Sequence, residues 1–152
     1  MQTHFVIERE PSVTWPVTVE LPQPGGRIAP FRFDAEVRVL SEDEYEAFIP
    51  AHGADDDVES AQDAEIQRRT LREVLADNAR VLPRLITGWH GVTAPGGGEV
   101  PIADLPAVLT GPYGRALSVA LWRAIHQVRY GIPADDTPGA AEGNSAPSPA
   151  AG

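Results

Sequence analysis

The sequence predicts an α+β fold: a small N-terminal antiparallel β-sheet, then a mainly helical unit, then a disordered C-terminal tail. Three observations predict it. Residues 31–40 alternate between apolar and polar, from about Ser60 the apolar spacing changes to three and four, and after Gly131 the composition turns to Ala, Pro and Gly. A chain of 152 residues has room for one domain with a real core, here 1–131, β-rich over 1–40 and helical over 41–131, leaving 132–152 as the tail.

The elements follow in order. His4-Phe5-Val6-Ile7 is short and apolar and reads as a first strand. Val13 to Glu20 is rich in β-branched residues and stops at the turn residues Leu21-Pro22-Gln23-Pro24-Gly25-Gly26. Pro16 within that strand calls for an edge or a bulge, because it has no N–H for a ladder. Phe31, Phe33, Ala35, Val37 and Val39 lie on one face of the next strand, with Arg32, Asp34, Glu36 and Arg38 on the other. Ser41-Glu42-Asp43-Glu44 is a capping box whose acids also suit a helix dipole, so a short helix over 42–49 ends before Pro50.

Leu71, Val74, Leu75, Asn78, Val81, Leu82 and Leu85 mark one face of an amphipathic helix that Pro83 should kink or end. Thr87 to Val92 reads as an ordered turn, and Pro95-Gly96-Gly97-Gly98 as a flexible hairpin tip. Residues 102–109 form a short helix with Asp104 near its start. In the last helix Tyr113, Leu117, Ala120, Leu121, Ala124, Ile125 and Val128 make a continuous stripe closed by Gly131 and Pro133. The sheet's apolar face should pack on the stripes of the two main antiparallel helices.

Composition excludes several functions. Twelve Lys+Arg against 22 Asp+Glu give a formal charge of −10 and a pI near 4.7, which argues against a nucleic-acid partner. There is no Cys, hence no disulfide, thiolate zinc site or Cys nucleophile. Every cation is Arg, so a Schiff-base or Walker lysine is excluded as well. The first ten residues lack the apolar stretch of a signal peptide, and no apolar run is long enough for a membrane span. A cytoplasmic protein is expected. The negative charge is concentrated in residues 41–65, which carry ten acids and no base, whereas 66–86 carry five Arg and two acids.

No catalytic motif emerges. His4, His52, His90 and His126 fall at no zinc-helix spacing. Asp55-Asp56-Asp57 with Glu59 lacks the positions of a calcium loop and reads as a solvated acidic loop. The triple glycine has no Lys-Ser/Thr behind it, and no Ser sits in a nucleophile elbow. The expectation is therefore no enzyme, no cofactor and no metal. Trp89 is the better candidate for a buried anchor with its N–H satisfied locally, with partner binding as the second reading. Trp122 lies off the apolar stripe with Arg115, Val119, His126 and Arg129. It is a candidate partner contact or, equally, buried under the N-terminal sheet. Trp89, Trp122, Arg115 and Arg129 are thus the candidate partner-binding residues.

Two segments carry a family resemblance. The first runs from Phe33 and Ala35 through Val37, Arg38 and Leu40 into the acidic helix start. The second is Gly88-Trp89-His90-Gly91-Val92, followed by a glycine loop and Val100-Pro101. Over residues 28–130 this resembles the tail assembly chaperones of long-tailed, siphovirus-like bacteriophages. In that family a strand of the form Phe-x-Ala-x-Phe-Lys-x-Leu precedes an acidic helix start, and a Gly-Trp-x-Gly-Val turn precedes a Val-Pro segment. Val37 and Arg38 replace the usual Phe and Lys.

The resemblance implies a protein of the host cytoplasm that binds the tape-measure protein, keeps it soluble and helps gather tail-tube protein around it. Many such chaperones exist in a short and a frameshifted longer form, and this chain looks like the short one. A self-oligomer is a further candidate partner; nucleic acid and membrane are not. A high negative charge suits the role by keeping unbound copies apart. Other readings are a small structural tail or connector component of the virion, a small enzyme using His52 or His90, and an adaptor whose tail is a peptide ligand.

Overall fold

The computed structural model describes residues 4–48 and 61–134. They form a three-stranded antiparallel sheet with four helices, the α+β arrangement that the patterning predicts. Strand β1 is Ser12–Gln23 and β2 is Arg27–Arg38. They pair in continuous register from Ser12↔Arg38 to Gln23↔Arg27 across the Pro24-Gly25-Gly26 turn. Directly opposed residues share a face, so Val13, Trp15, Val17, Val19 and Leu21 stand with Val37, Ala35, Phe33, Phe31 and Ala29. Val17, Val19, Ala35 and Val37 are buried. On the opposite face the Thr14 hydroxyl donates to Glu36 Oε2 at 2.5 Å. β1 is an edge strand, which is where Pro16 costs no ladder bond.

The expected first strand at His4–Ile7 is not one. These residues are irregular and exposed, because no neighbouring strand takes up their main-chain groups.

The third strand, β3 (Ile86–His90), comes instead from the segment expected to be a turn within the helical region. It pairs with β2 through Asp34↔His90, Ala35↔Trp89, Glu36↔Gly88 and Val37↔Ile86, with a bulge between Glu36 and Val37. The bulge explains why alternation did not reveal it. Ile86 and Trp89 are three residues apart and would point to opposite faces of a regular strand, but the extra residue turns both toward the core.

Helix α1 (Glu42–Phe48) starts at the predicted capping box. Ser41 N–H donates to Glu44 Oε1 at 2.9 Å, and Glu44 N–H donates to Ser41 Oγ at 3.2 Å. The backbone and hydroxyl of Ser41 hold the Glu44 carboxyl below its usual pKa. Helix α2 (Ala61–Leu85) includes Pro83 in its last turn and ends two residues beyond it. Its Leu82 and Leu85 are fully buried, as is Ile86 at the start of β3.

A hairpin loop follows β3, closed by Val100 N–H to Val92 O and Ala94 N–H to Gly98 O, each at 2.8 Å. A 3-10 turn at Ile102–Asp104 runs into α3 (Leu105–Leu109), which buries Leu105 and Leu109. Together they account for the short helix expected over 102–109.

Helix α4 (Gly114–Tyr130) buries Leu117, Ala120, Leu121, Ala124 and Ile125 of the predicted stripe; Tyr113, just before it, is exposed. Gly131 takes the left-handed conformation (φ 69°) that closes the helix, its N–H donating to Gln127 O. α4 packs along β1, while α2 and α3 pack against one another and against α4. The core lies between the sheet's apolar face and these helices. Most of the expected tail, residues 135–152, lies outside the described residues, as do Ile49 and Pro50 at the expected end of α1.

The turn into α4 depends on contact between backbones. A Cβ added at Gly114 would stand 1.9 Å from Leu109 O, whereas one at Gly96 would meet nothing within 4 Å. Gly114→Ala should therefore cost about 1–3 kcal/mol in denaturant unfolding, the range for overpacking. Gly96→Ala should change stability by no more than about 1 kcal/mol. Equal midpoints for the two variants would refute the close-approach account.

Candidate functional site

The four candidate partner-binding residues divide by what their side chains touch. Trp89 is only 6% exposed. Its indole Nε1–H donates to Val100 O at 2.7 Å, and its ring meets Phe33 edge-on at 5.9 Å. Gly91 completes this corner at φ +98°, where a Cβ would come within 3.3 Å of Phe33 Cβ. The anchor reading of Trp89 describes this geometry.

Trp122 is half-buried, and it packs toward α2 rather than lying under the sheet. Its Nε1–H donates to Asn78 Oδ1 at 3.0 Å. Asn78 is buried, so this bond explains a polar residue within the apolar stripe of α2.

Arg129 is engaged inside the fold. Its Nε and one terminal nitrogen donate to the two carboxylate oxygens of Glu42 at 2.8 and 2.5 Å. Its guanidinium also lies 5.3 Å from the Tyr45 ring centre and 4.9 Å from that of Tyr130. Only 13% of the Arg129 side chain is exposed, so most of it is withdrawn from an external partner. The hydrogen bonds from Arg129 lower the Glu42 pKa, and Glu42 raises that of Arg129. Burial raises the Tyr45 pKa, and its hydroxyl donates to Arg38 O at 3.0 Å.

Arg115 alone of the four is exposed to solvent. It lines a cleft of about 180 Å³ with Thr18 and Glu20 of β1 and Ala116, Val119, Ala120 and Arg123 of α4. Arg115, Val119 and Arg123 follow at four-residue steps and form one line along the helix. That spacing is legible in the sequence; its position beside β1 is not.

Of the titratable groups, His90 Nδ1 stands 3.7 Å from Glu99 at an exposed site, and His126 stacks edge-on with Tyr130 at 4.7 Å. Glu99 Oε2 accepts from Gly91 N–H at 3.0 Å, so this carboxylate braces the β3 corner. Among the described residues, no group of three or more His, Asp or Glu is gathered as a metal site. His52, Asp55-Asp56-Asp57 and Glu59 lie outside the described residues. No helix among the described residues is long and apolar enough to cross a membrane.

Comparison with protein-family models, curated proteins and solved structures gives no match.

Two predictions follow from these contacts. Trp122→Phe leaves the buried Asn78 amide without its donor and should cost about 1–3 kcal/mol in denaturant unfolding. Arg115→Ala should stay within about 0.5 kcal/mol of the parent. The reverse order would contradict the geometry.

The Glu42–Arg129 pair makes stability depend on acid. Glu42 has a depressed folded-state pKa, so its contribution is present above the ordinary carboxylate value of 4.5 and is lost as pH falls through the lower folded value. Thermal unfolding followed by circular dichroism should give a lower Tm for Glu42→Gln at neutral pH and a smaller loss of Tm on acidification. Parallel Tm profiles for parent and variant would refute this role for the pair.

Proposed function

We propose that the protein is a phage tail assembly chaperone that binds the tape-measure protein and keeps it soluble in the host cytoplasm. By the same reading it helps recruit tail-tube protein during tail morphogenesis. The reading rests on the Gly88-Trp89-His90-Gly91-Val92 motif and its Val100-Pro101 partner, by which the chain resembles that family.

The observation that supports it is the interlocking of those motif residues. The Trp89 indole closes onto Val100, and the positive φ of Gly91 lets the chain turn against Phe33. The motif thus has an architectural reason to occur as a unit, and the strand residues Phe33 and Ala35 of the other motif pack beside it.

A chaperone also needs accessible apolar surface to offer its client. β3 pairs only with residues 34–37 of β2, so the β1–β2 hairpin projects beyond it. Phe31 belongs to the sheet's apolar face but lies past the end of β3, and it is 47% exposed. Tyr113, before α4, is exposed as well. An amphipathic helix of the client could lay its apolar face against such a surface. The acidic composition keeps the unbound chaperone dispersed.

Co-expression with the tape-measure gene of the same phage tests the proposal. The tape-measure protein should move from the insoluble to the soluble fraction and co-purify with the chain. Phe31→Ser should reduce the recovered client severalfold while the chaperone itself stays folded. A tape-measure protein whose solubility does not change with the chain present would overturn the reading.

A further inference from the structure

The outer edge of β1 carries no strand among the described residues. Val39 N–H donates to Pro11 O at 2.9 Å, so odd-numbered positions here are the ones bonded to β2. Even-numbered residues therefore turn their main-chain groups outward. This leaves the N–H groups of Thr14, Thr18 and Glu20 along the edge, with Pro16 and Pro22 offering carbonyls alone.

α4 runs beside this edge in the opposite direction. Trp15 Nε1–H donates to Gln127 Oε1 at 2.7 Å, while Thr18 and Glu20, further along β1, share the cleft with Arg115 and Val119, earlier in α4. The result is a groove with a hydrogen-bonding strand on one side and a helix on the other. The helix wall presents Arg115, Val119 and Arg123, about 6 Å apart by the 1.5 Å rise per residue.

The chain also carries a segment that fits this groove. Phe5, Val6 and Ile7 are 88%, 59% and 82% exposed and belong to no element. Glu8 and Glu10 follow them. In an extended strand Val6, Glu8 and Glu10 share a face at steps of about 6.7 Å, close to the step of the helix wall. Val6 set over Val119 thus brings Glu8 beside an arginine.

The arm cannot make this contact in its own chain. Folded back at Pro11, Val6 would come opposite Pro16, short of the cleft at Thr18 and Glu20. We infer that residues 4–10 of one copy add as a strand to the free edge of β1 in a second copy, beneath Arg115, Val119 and Arg123. Main-chain bonds supply the attachment, the apolar contact on Val119 seats it, and Glu8, paired with the arginine that flanks Val119 on its side, sets the register. This self-association does not depend on which client the protein carries.

The absence of Cys makes the test direct. Full-length Val6→Cys and Val119→Cys proteins are mixed under mild oxidation and resolved on non-reducing gels. Their mixed disulfide should form at least tenfold faster than that between Val6→Cys and Ile28→Cys, the latter residue being exposed on the projecting hairpin. In sedimentation, replacing both Arg115 and Arg123 by Glu should weaken self-association at least tenfold, and Glu8→Arg on the same chain should restore part of it. Circular dichroism checks that each variant is folded. A monomer at every concentration overturns the inference, as does a dimer indifferent to these charges. A Val6→Cys/Val119→Cys double variant that closes only within one chain overturns it too, by placing the arm in its own groove.

Discussion

The structure depends on the packing of α4 along the apolar face of the β1–β2 hairpin. A three-stranded sheet of this length has one face to bury, and no second sheet covers it among the described residues. Leu117, Ala120, Leu121, Ala124 and Ile125 of α4 join Val17, Val19, Ala35 and Val37 of the sheet in one core. Each large aliphatic side chain fully buried there contributes about 1.5–3 kcal/mol. The alternation of small and large residues lets the helix lie close: Ala120 and Ala124 sit between Leu117, Leu121 and Ile125. With α4 in place, α2 and α3 complete the core through Leu82, Leu85, Leu105 and Leu109.

Polar contacts then fix how the elements meet. All three tryptophans donate their indole N–H to a partner on another part of the chain. Trp15 ties β1 to α4, Trp122 ties α4 to α2, and Trp89 ties β3 to the loop before α3. Hydrophobic burial is non-directional, whereas an indole with one donor specifies one register. Buried Gln127 and Asn78 are the matching acceptors, and replacing either would leave a part-buried indole N–H without its acceptor. The Glu42–Arg129 pair acts at the rim and ties α1 to the end of α4. The Trp–Arg association on α4 that resembles an interface composition is thus largely a set of internal fastenings.

Local chemistry was legible in the sequence where it acts within a few residues. The alternation of Phe31 to Val39 marks β2, Ser41 and Glu44 form the capping box, and Gly131 closes α4. Two kinds of information were not local. β3 was hidden because its bulge places Ile86 and Trp89, three residues apart, on one face, and no strand period contains that spacing. His4–Ile7 shows the converse, since a short apolar run forms a strand only where a neighbour offers a ladder. The partners of Arg129 and Trp122 lie 87 and 44 residues away, and neither helical spacing nor composition brings them together. Of the candidate site, the line Arg115–Val119–Arg123 could be drawn in advance; its meeting with an open strand edge required the fold.

An open edge beside a basic helix wall changes the meaning of the acidic composition. Strand edges attract other strands without regard to sequence, because main-chain groups are common to all. Two features restrict this one. Pro16 and Pro22 remove donors from an otherwise regular row, so an incoming strand must match the positions that remain. The net charge of −10 opposes the approach of second copies in most orientations, through repulsion that falls off over about 8 Å at physiological salt. Arg115 and Arg123 are a local exception to that field, and they lie where the edge is accessible. An acidic extended segment is therefore favoured there over an uncharged one, and the net negative charge of the whole chain penalises unregistered contact. Solubility and selective strand addition then arise from one charge distribution: net repulsion between the bodies, with local attraction where a basic groove meets an open strand edge.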